Sequence, residues 1–138
     1  MDGRRGLEKM KEINKMKEIE ISYCAGLFDG EGCVTIMWPK RQTYCLEINM
    51  THKPTLERFA KCLGGTVTKH YNKRIEQKQQ YRVRFFGKEA VRVGQLIMPY
   101  MTEKQMQISM LIGYSETKCQ VQRKFYKEKL TEYKRMAF

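Results

Sequence analysis

Hydrophobic and polar positions fall into short blocks whose period changes along the chain. Leu7, Met10, Ile13 and Met16 recur every third residue through a run of Lys and Glu, a thin apolar stripe that predicts a helix from Leu7 to about Lys17. From Ile19 to Phe28 the chain is compactly apolar, and it then meets Asp29-Gly30-Glu31-Gly32, whose glycines can turn the backbone where other residues cannot. Cys33 to Trp38 reads as a strand stopped by Pro39. Thr43 to Met50 alternates cleanly, with Tyr44, Leu46, Ile48 and Met50 on one side. Pro54 sits at a first helical position, and Leu56, Phe59, Ala60 and Leu63 form a stripe ended by Gly64-Gly65. Thr66 to Asn72 reads as a third strand. After a polar turn near Ile75 to Lys78, Tyr81, Val83 and Phe85 alternate with Gln80, Arg82 and Arg84. Lys88 to Tyr100, Lys104 to about Glu116 and Val121 to Arg135 read as helices.

The order is therefore helix, two strands, helix, two strands, helices. Short turns join each strand pair, so the expected class is α+β, of αββαββα type, with a four-stranded antiparallel sheet and helices on one face. The chain divides into an N-terminal extension over residues 1–17, a domain over 18–117 and a basic C-terminal helix over 118–138.

The 138 residues carry 27 Lys and Arg against 15 Asp and Glu. Residues 51–138 hold nineteen of those positives and only seven of the negatives, so a polyanion such as nucleic acid is the economical partner. No apolar run approaches a membrane span and no secretory leader is evident, so no membrane partner is expected. Five cysteines, with no C-x-x-C pair and only two histidines, argue against a zinc cage. Buried or half-buried thiols in an intracellular reducing compartment are expected instead.

The two faces of the predicted sheet differ in chemistry. Opposite the apolar face lie Thr35, Met37, Thr43, Cys45, Glu47, Asn49, Thr66, Thr68, His70, Asn72, Gln80, Arg82 and Arg84, with Arg41 at the first hairpin tip. Short hydrogen-bonding groups and arginines can read base edges in a major groove. Taken alone, a solvated sheet face accounts for the same pattern.

Residues 24–32, Cys-Ala-Gly-Leu-Phe-Asp-Gly-Glu-Gly, decide between the two. They resemble the LAGLIDADG motif of homing endonucleases and intron maturases, with Tyr23 before and Val34 and Ile36 after extending the likeness. Cys24 replaces the usual first Leu. The resemblance covers roughly residues 18–117 and implies a saddle-like sheet and a motif helix at a two-fold dimer interface through Tyr23, Ala25, Gly26, Phe28 and Asp29. It implies Mg²⁺, with Mn²⁺ able to substitute, held by Glu31 and the Gly30 carbonyl. His52 falls where the family places a polar residue that positions water, and Lys104 where it places an active-site lysine. A single motif copy implies a homodimer on double-stranded DNA, on the order of 20 pseudo-palindromic base pairs. Lys118, Arg123 and Lys124 are candidates for phosphate contacts. The implied activity is site-specific cleavage leaving short 3′ overhangs, in intron homing. The alternatives are an intron RNA maturase or a DNA-binding protein that has lost catalysis.

Overall fold

A computed structural model describes residues 3–70 and 78–136. Its elements are α1 (Gly3–Glu31), β1 (Gly32–Met37), β2 (Thr43–Met50), α2 (Lys53–Leu63), β3 (Thr68–His70), β4 (Gln80–Phe86), α3 (Gly87–Ile97), a 3-10 turn (Met98–Tyr100), α4 (Gln105–Ser115) and α5 (Gln120–Arg135). The four strands form one antiparallel sheet in the order β1-β2-β4-β3, so two hairpins lie side by side with β2 against β4.

Burial of the alternating apolar face organises everything else. Val34, Ile36, Leu46, Ile48, Val83 and Phe85 point toward the helices and pack with Phe28, Leu56, Phe59, Val93, Ile97, Ile108 and Leu111 in one core. Phe28 stacks on Phe59, which in turn tilts against Phe85. α2 ends where Gly64 takes φ +80° and returns its N–H to the Ala60 carbonyl at 2.8 Å, a left-handed cap that suits glycine.

Three boundaries differ from expectation. The two N-terminal segments are one helix, because residues 7–25 contain no Gly or Pro to break it. Asp29-Gly30-Glu31 remains helical, and neither Gly30 nor Gly32 adopts a left-handed conformation. Gly32 is needed for space: a Cβ there would lie 2.5 Å from the Phe28 ring. The third strand begins two residues later than the pattern predicts. Thr66 precedes β3 in an exposed loop, while Asn72 and most of the expected polar turn lie outside the described residues.

Candidate functional site

The end of α1 gathers the chemistry. Glu31 is its last residue, exposed, and among the described residues it has no hydrogen-bond or ion-pair partner. The last turn of any helix leaves carbonyls without an intrahelical donor. One of these, the Asp29 carbonyl, accepts a hydrogen bond from Lys104 Nζ at 2.5 Å. A cation at that position also opposes the negative end of the helix dipole. The Asp29 carboxylate meanwhile grips the segment that delivers the lysine. Oδ1 accepts from the Lys104 N–H at 2.7 Å, and Oδ2 accepts from the Thr102 and Glu103 N–H groups, each at 3.1 Å. Burial pushes the Asp29 carboxyl upward, but the three backbone donors and the Lys104 charge outweigh it and hold the group below its usual range.

Asp29 therefore does not face outward as the dimer assignment requires. Ala25 and Phe28 are corrected with it: they are 0% and 1% exposed and belong to the chain's own core. The outward line of α1 is Ile19, Tyr23, Gly26 and Gly30, spaced so that they share one side of the helix. At Gly26 and Gly30 an added Cβ would meet nothing within 4 Å. Tyr23 carries the Arg58 guanidinium 3.7 Å from its ring centre, and Arg58 in turn forms a forked pair with Glu20 at 2.6 and 3.0 Å.

His52 lies past β2, at the same end of the sheet as Glu31, because Gly32 pairs with Ile48. It caps α2: its Nδ1 accepts from the Thr55 N–H at 3.3 Å and lies 2.6 Å from the Thr55 hydroxyl. The ring is exposed, and its Nε2 is not part of the cap.

The outer sheet face carries the predicted polar set, with graded accessibility. Thr35, Met37, Thr43 and Glu47 are half-buried, while Asn49 and Arg84 are exposed. Cys45 is a correction: it sits between Thr35 and Phe86 in the pairing, is 3% exposed and donates to the Leu46 carbonyl. Burial first, then the charge of Glu47, pushes its thiol up to about 11. Arg82 is held in place. Its Nη1 donates to His70 Nδ1 at 3.0 Å, its guanidinium reaches Glu47 at 3.8 Å, and its backbone carbonyl accepts from the Thr68 hydroxyl. Arginine has only donors, so His70 is the tautomer protonated at Nε2. Among the described residues, Arg82 Nε is buried without a partner. Half-buried Gln80 pairs with His70. Arg84 lies 5.3 Å over the Phe86 ring, and Phe86 itself is 45% exposed on this polar face. Sequence reasoning missed Phe86, although alternation from Arg82 and Arg84 places it beside them.

The C-terminal helix is pinned beside β1. Gln120 accepts from the Trp38 indole at 3.0 Å and exchanges hydrogen bonds with Gln42. Arg123 donates to Gln42 at 2.8 Å and to the Thr117 carbonyl at 2.8 Å, and it lies over the Tyr114 ring. Arg123 is thus engaged within the fold, whereas Lys118 and Lys124 are exposed. Arg41, at the β1–β2 tip, is exposed and holds a positive φ of 59°.

No group of three or more His, Cys, Asp or Glu capable of caging a metal occurs among the described residues. What exists is an open carboxylate beside a last-turn carbonyl, hard oxygen donors of the kind Mg²⁺ accepts when waters and phosphates complete its shell. The donors fit a shared ion and do not form a closed cage.

This architecture is the fold of the homing endonucleases, the family whose motif residues 24–32 resemble. One crystal structure of I-CvuI, in complex with its target in the presence of calcium, matches with a TM-score of 0.66 at 17% identity, covering 86% of this chain and 83% of that one. A second I-CvuI structure, with magnesium and uncleaved DNA, matches equally. The archaeal intron-encoded homing endonuclease I-Vdi141I, complexed with DNA, matches with a TM-score of 0.66 at 18% identity over 83% of this chain and 84% of its own. No protein-family model and no curated protein matches the chain.

Proposed function

We propose that the chain is a site-specific, divalent-metal-dependent DNA endonuclease acting as a homodimer, with intron homing as its biological role. The carrying observation is the α1 terminus. An exposed carboxylate ends that helix, the Lys104 ammonium is tethered to the Asp29 carbonyl in its last turn, and the sheet face that follows carries arginine, asparagine and threonine, on a fold shared with the DNA complexes of I-CvuI and I-Vdi141I.

Each chain offers one Glu31, and a duplex has two antiparallel strands. A two-fold dimer placing one acid at each strand is the arrangement that cuts both. The outward line of α1, where two glycines leave room for close approach, supports that contact. Glu31 and the Gly30 carbonyl would hold Mg²⁺. When bound, the ion polarises the scissile phosphate and offsets charge on the leaving oxygen. Lys104 supplies a further positive charge for the phosphate, His52 orients water through its free ring nitrogen, and Asn49, Arg84 and Phe86 read base edges while Lys118 and Lys124 contact phosphates. The site spans about 20 base pairs, the cut leaves short 3′ overhangs, and the free thiols suit a reducing compartment.

The test incubates the protein with a randomised duplex library and Mg²⁺, with EDTA and Glu31→Gln as controls, and sequences the ends. Pseudo-palindromic ends absent from both controls support the reading. Retention of structured intron RNA without any cutting replaces it with the maturase alternative.

A further inference from the structure

We infer that Asp29, the first acid of the motif, is a positioning residue that fixes Lys104 at the end of α1. The inference rests on the nuclease reading only for its effect on rate; the tether itself is a feature of the fold. Residues 101–104 leave the 3-10 turn as a short irregular strap before α4, and three consecutive strap N–H groups point at one carboxylate. Neither Thr102 nor Glu103 belongs to a helix or strand. Without Asp29 those donors would turn to water and the strap would lose its fixed point. Asp29 is also the residue whose carbonyl receives Lys104 Nζ. One residue therefore holds the lysine by its backbone N–H through a side chain and by its ammonium through the main chain.

The arrangement divides labour within the motif. Asp29 is half-buried and spends its acceptors inside the chain, while Glu31, two residues on, is exposed. On an α-helix these positions lie about 200° apart, so the two acids cannot compete for one ligand. A lysine on an untethered loop would lose side-chain entropy on each encounter with phosphate, and tethering removes that cost beforehand.

The test compares the full-length wild type with Asp29→Asn, Lys104→Met and the double variant. Asparagine keeps the size but loses the charge and one of the two acceptor oxygens. Two readouts need no activity: hydrogen exchange at the amides of residues 102–104, and acetylation of the Lys104 amine by an N-hydroxysuccinimide ester, followed by mass spectrometry. Both should accelerate in Asp29→Asn by roughly tenfold, the scale of a lost charge-assisted hydrogen bond. On a cleavable duplex, Asp29→Asn should slow single-turnover cutting by about 10- to 100-fold with duplex affinity unchanged, and should add less than about twofold in the Lys104→Met background. Unchanged exchange and labelling would overturn the tether. An equal loss of rate with or without Lys104 would overturn the positioning role. Wild-type protein that is protected at these sites yet cuts no duplex would confirm the tether and sink the nuclease reading instead.

Discussion

Replacing Gly32 by alanine tests the tightest packing decision in the motif. A Cβ at this position would sit 2.5 Å from Cγ and Cδ2 of Phe28 and 2.6 Å from Cε2. Carbon atoms rest at about 3.5–4.0 Å, so ring and strand must separate by roughly 1 Å. The ring has nowhere to go: Phe28 is 1% exposed, stacks on Phe59 at 6.5 Å, and Phe59 meets Phe85 at 6.4 Å. Overpacking of this kind costs about 1–3 kcal/mol, and the reduced freedom of the unfolded chain returns about 0.4–1 kcal/mol. With the ring confined, the cost falls in the upper part of the overpacking range, so the net expectation is a loss of about 1–2.5 kcal/mol, a thermal midpoint lowered by roughly 3–12 °C for a domain of this size. Urea denaturation followed by the fluorescence of the single tryptophan, Trp38, measures it. Phe28→Leu added to Gly32→Ala should restore part of the loss, since removing ring atoms makes room, and the coupling should exceed about 0.5 kcal/mol. A Gly32→Ala protein as stable as wild type would refute the steric account.

Glu31→Gln should leave the unfolding free energy from urea titration within about 0.5 kcal/mol, because an exposed carboxylate with no partner among the described residues contributes little to folding, while cutting is lost and gel-shift binding to the same duplex remains. Arg84→Ala should relax base preference in a selection assay at one position per half-site by about 1–3 kcal/mol, whereas Arg82→Ala should chiefly lower stability, since it strips partners from His70 and Glu47. Thiol titration should find exposed Cys33 and Cys119 reacting first, with buried Cys24 and Cys45 reacting only on unfolding. Burial, then the Cys62 side chain, pushes Cys24 up to about 12 from an ordinary 9.0, and Cys45 reaches about 11. Both thiols are held neutral by the fold, so their contribution to stability is complete below about pH 9 and fades as the pH rises through 11 to 12; stability that does not decline across that range in alkaline urea titrations would count against their burial.

Periodicity made the frame of this fold legible. Alternation in Thr43–Met50 and in the Gln80–Phe86 stretch names a face for each residue, and burial follows it because a one-residue slip would turn every apolar side chain to water. Alternation does not give depth, however. Cys45 shares its side with Asn49 yet lies between flanking strands at mid-sheet, and only the pairing with Thr35 and Phe86 reveals that it is covered. Arg82 and Arg84 are likewise equivalent by pattern. Their difference comes from β3, which brings His70 to one and not the other. The motif located Glu31 at a helix end, but the partner of Asp29 lies 73–75 residues away in sequence, a separation no local pattern encodes. Arg123 shows the same limit: a basic residue on a basic helix reads as a phosphate ligand until the fold brings Gln42 and Tyr114 against it.

The helix α1 meets its core on one side and solvent on the other, which permits a test of association that leaves folding alone. Cys24, Ala25 and Phe28 face inward with at most 1% exposure, while Gly26 opens onto empty space in the single chain. Leucine at position 26 should therefore fold as well as wild type, or better by up to about 1 kcal/mol, because glycine is the poorer helix former and nothing nearby is displaced. If two copies of this line pack together, the same leucines would collide where glycines had allowed close contact. Sedimentation equilibrium should then show monomers, and an assay on supercoiled plasmid carrying the selected site should show double-strand cutting reduced far more than the thermal midpoint. A Gly26→Leu protein that remains dimeric and cuts both strands would place the subunit contact elsewhere, and with it the surface that brings two Glu31 residues to one duplex.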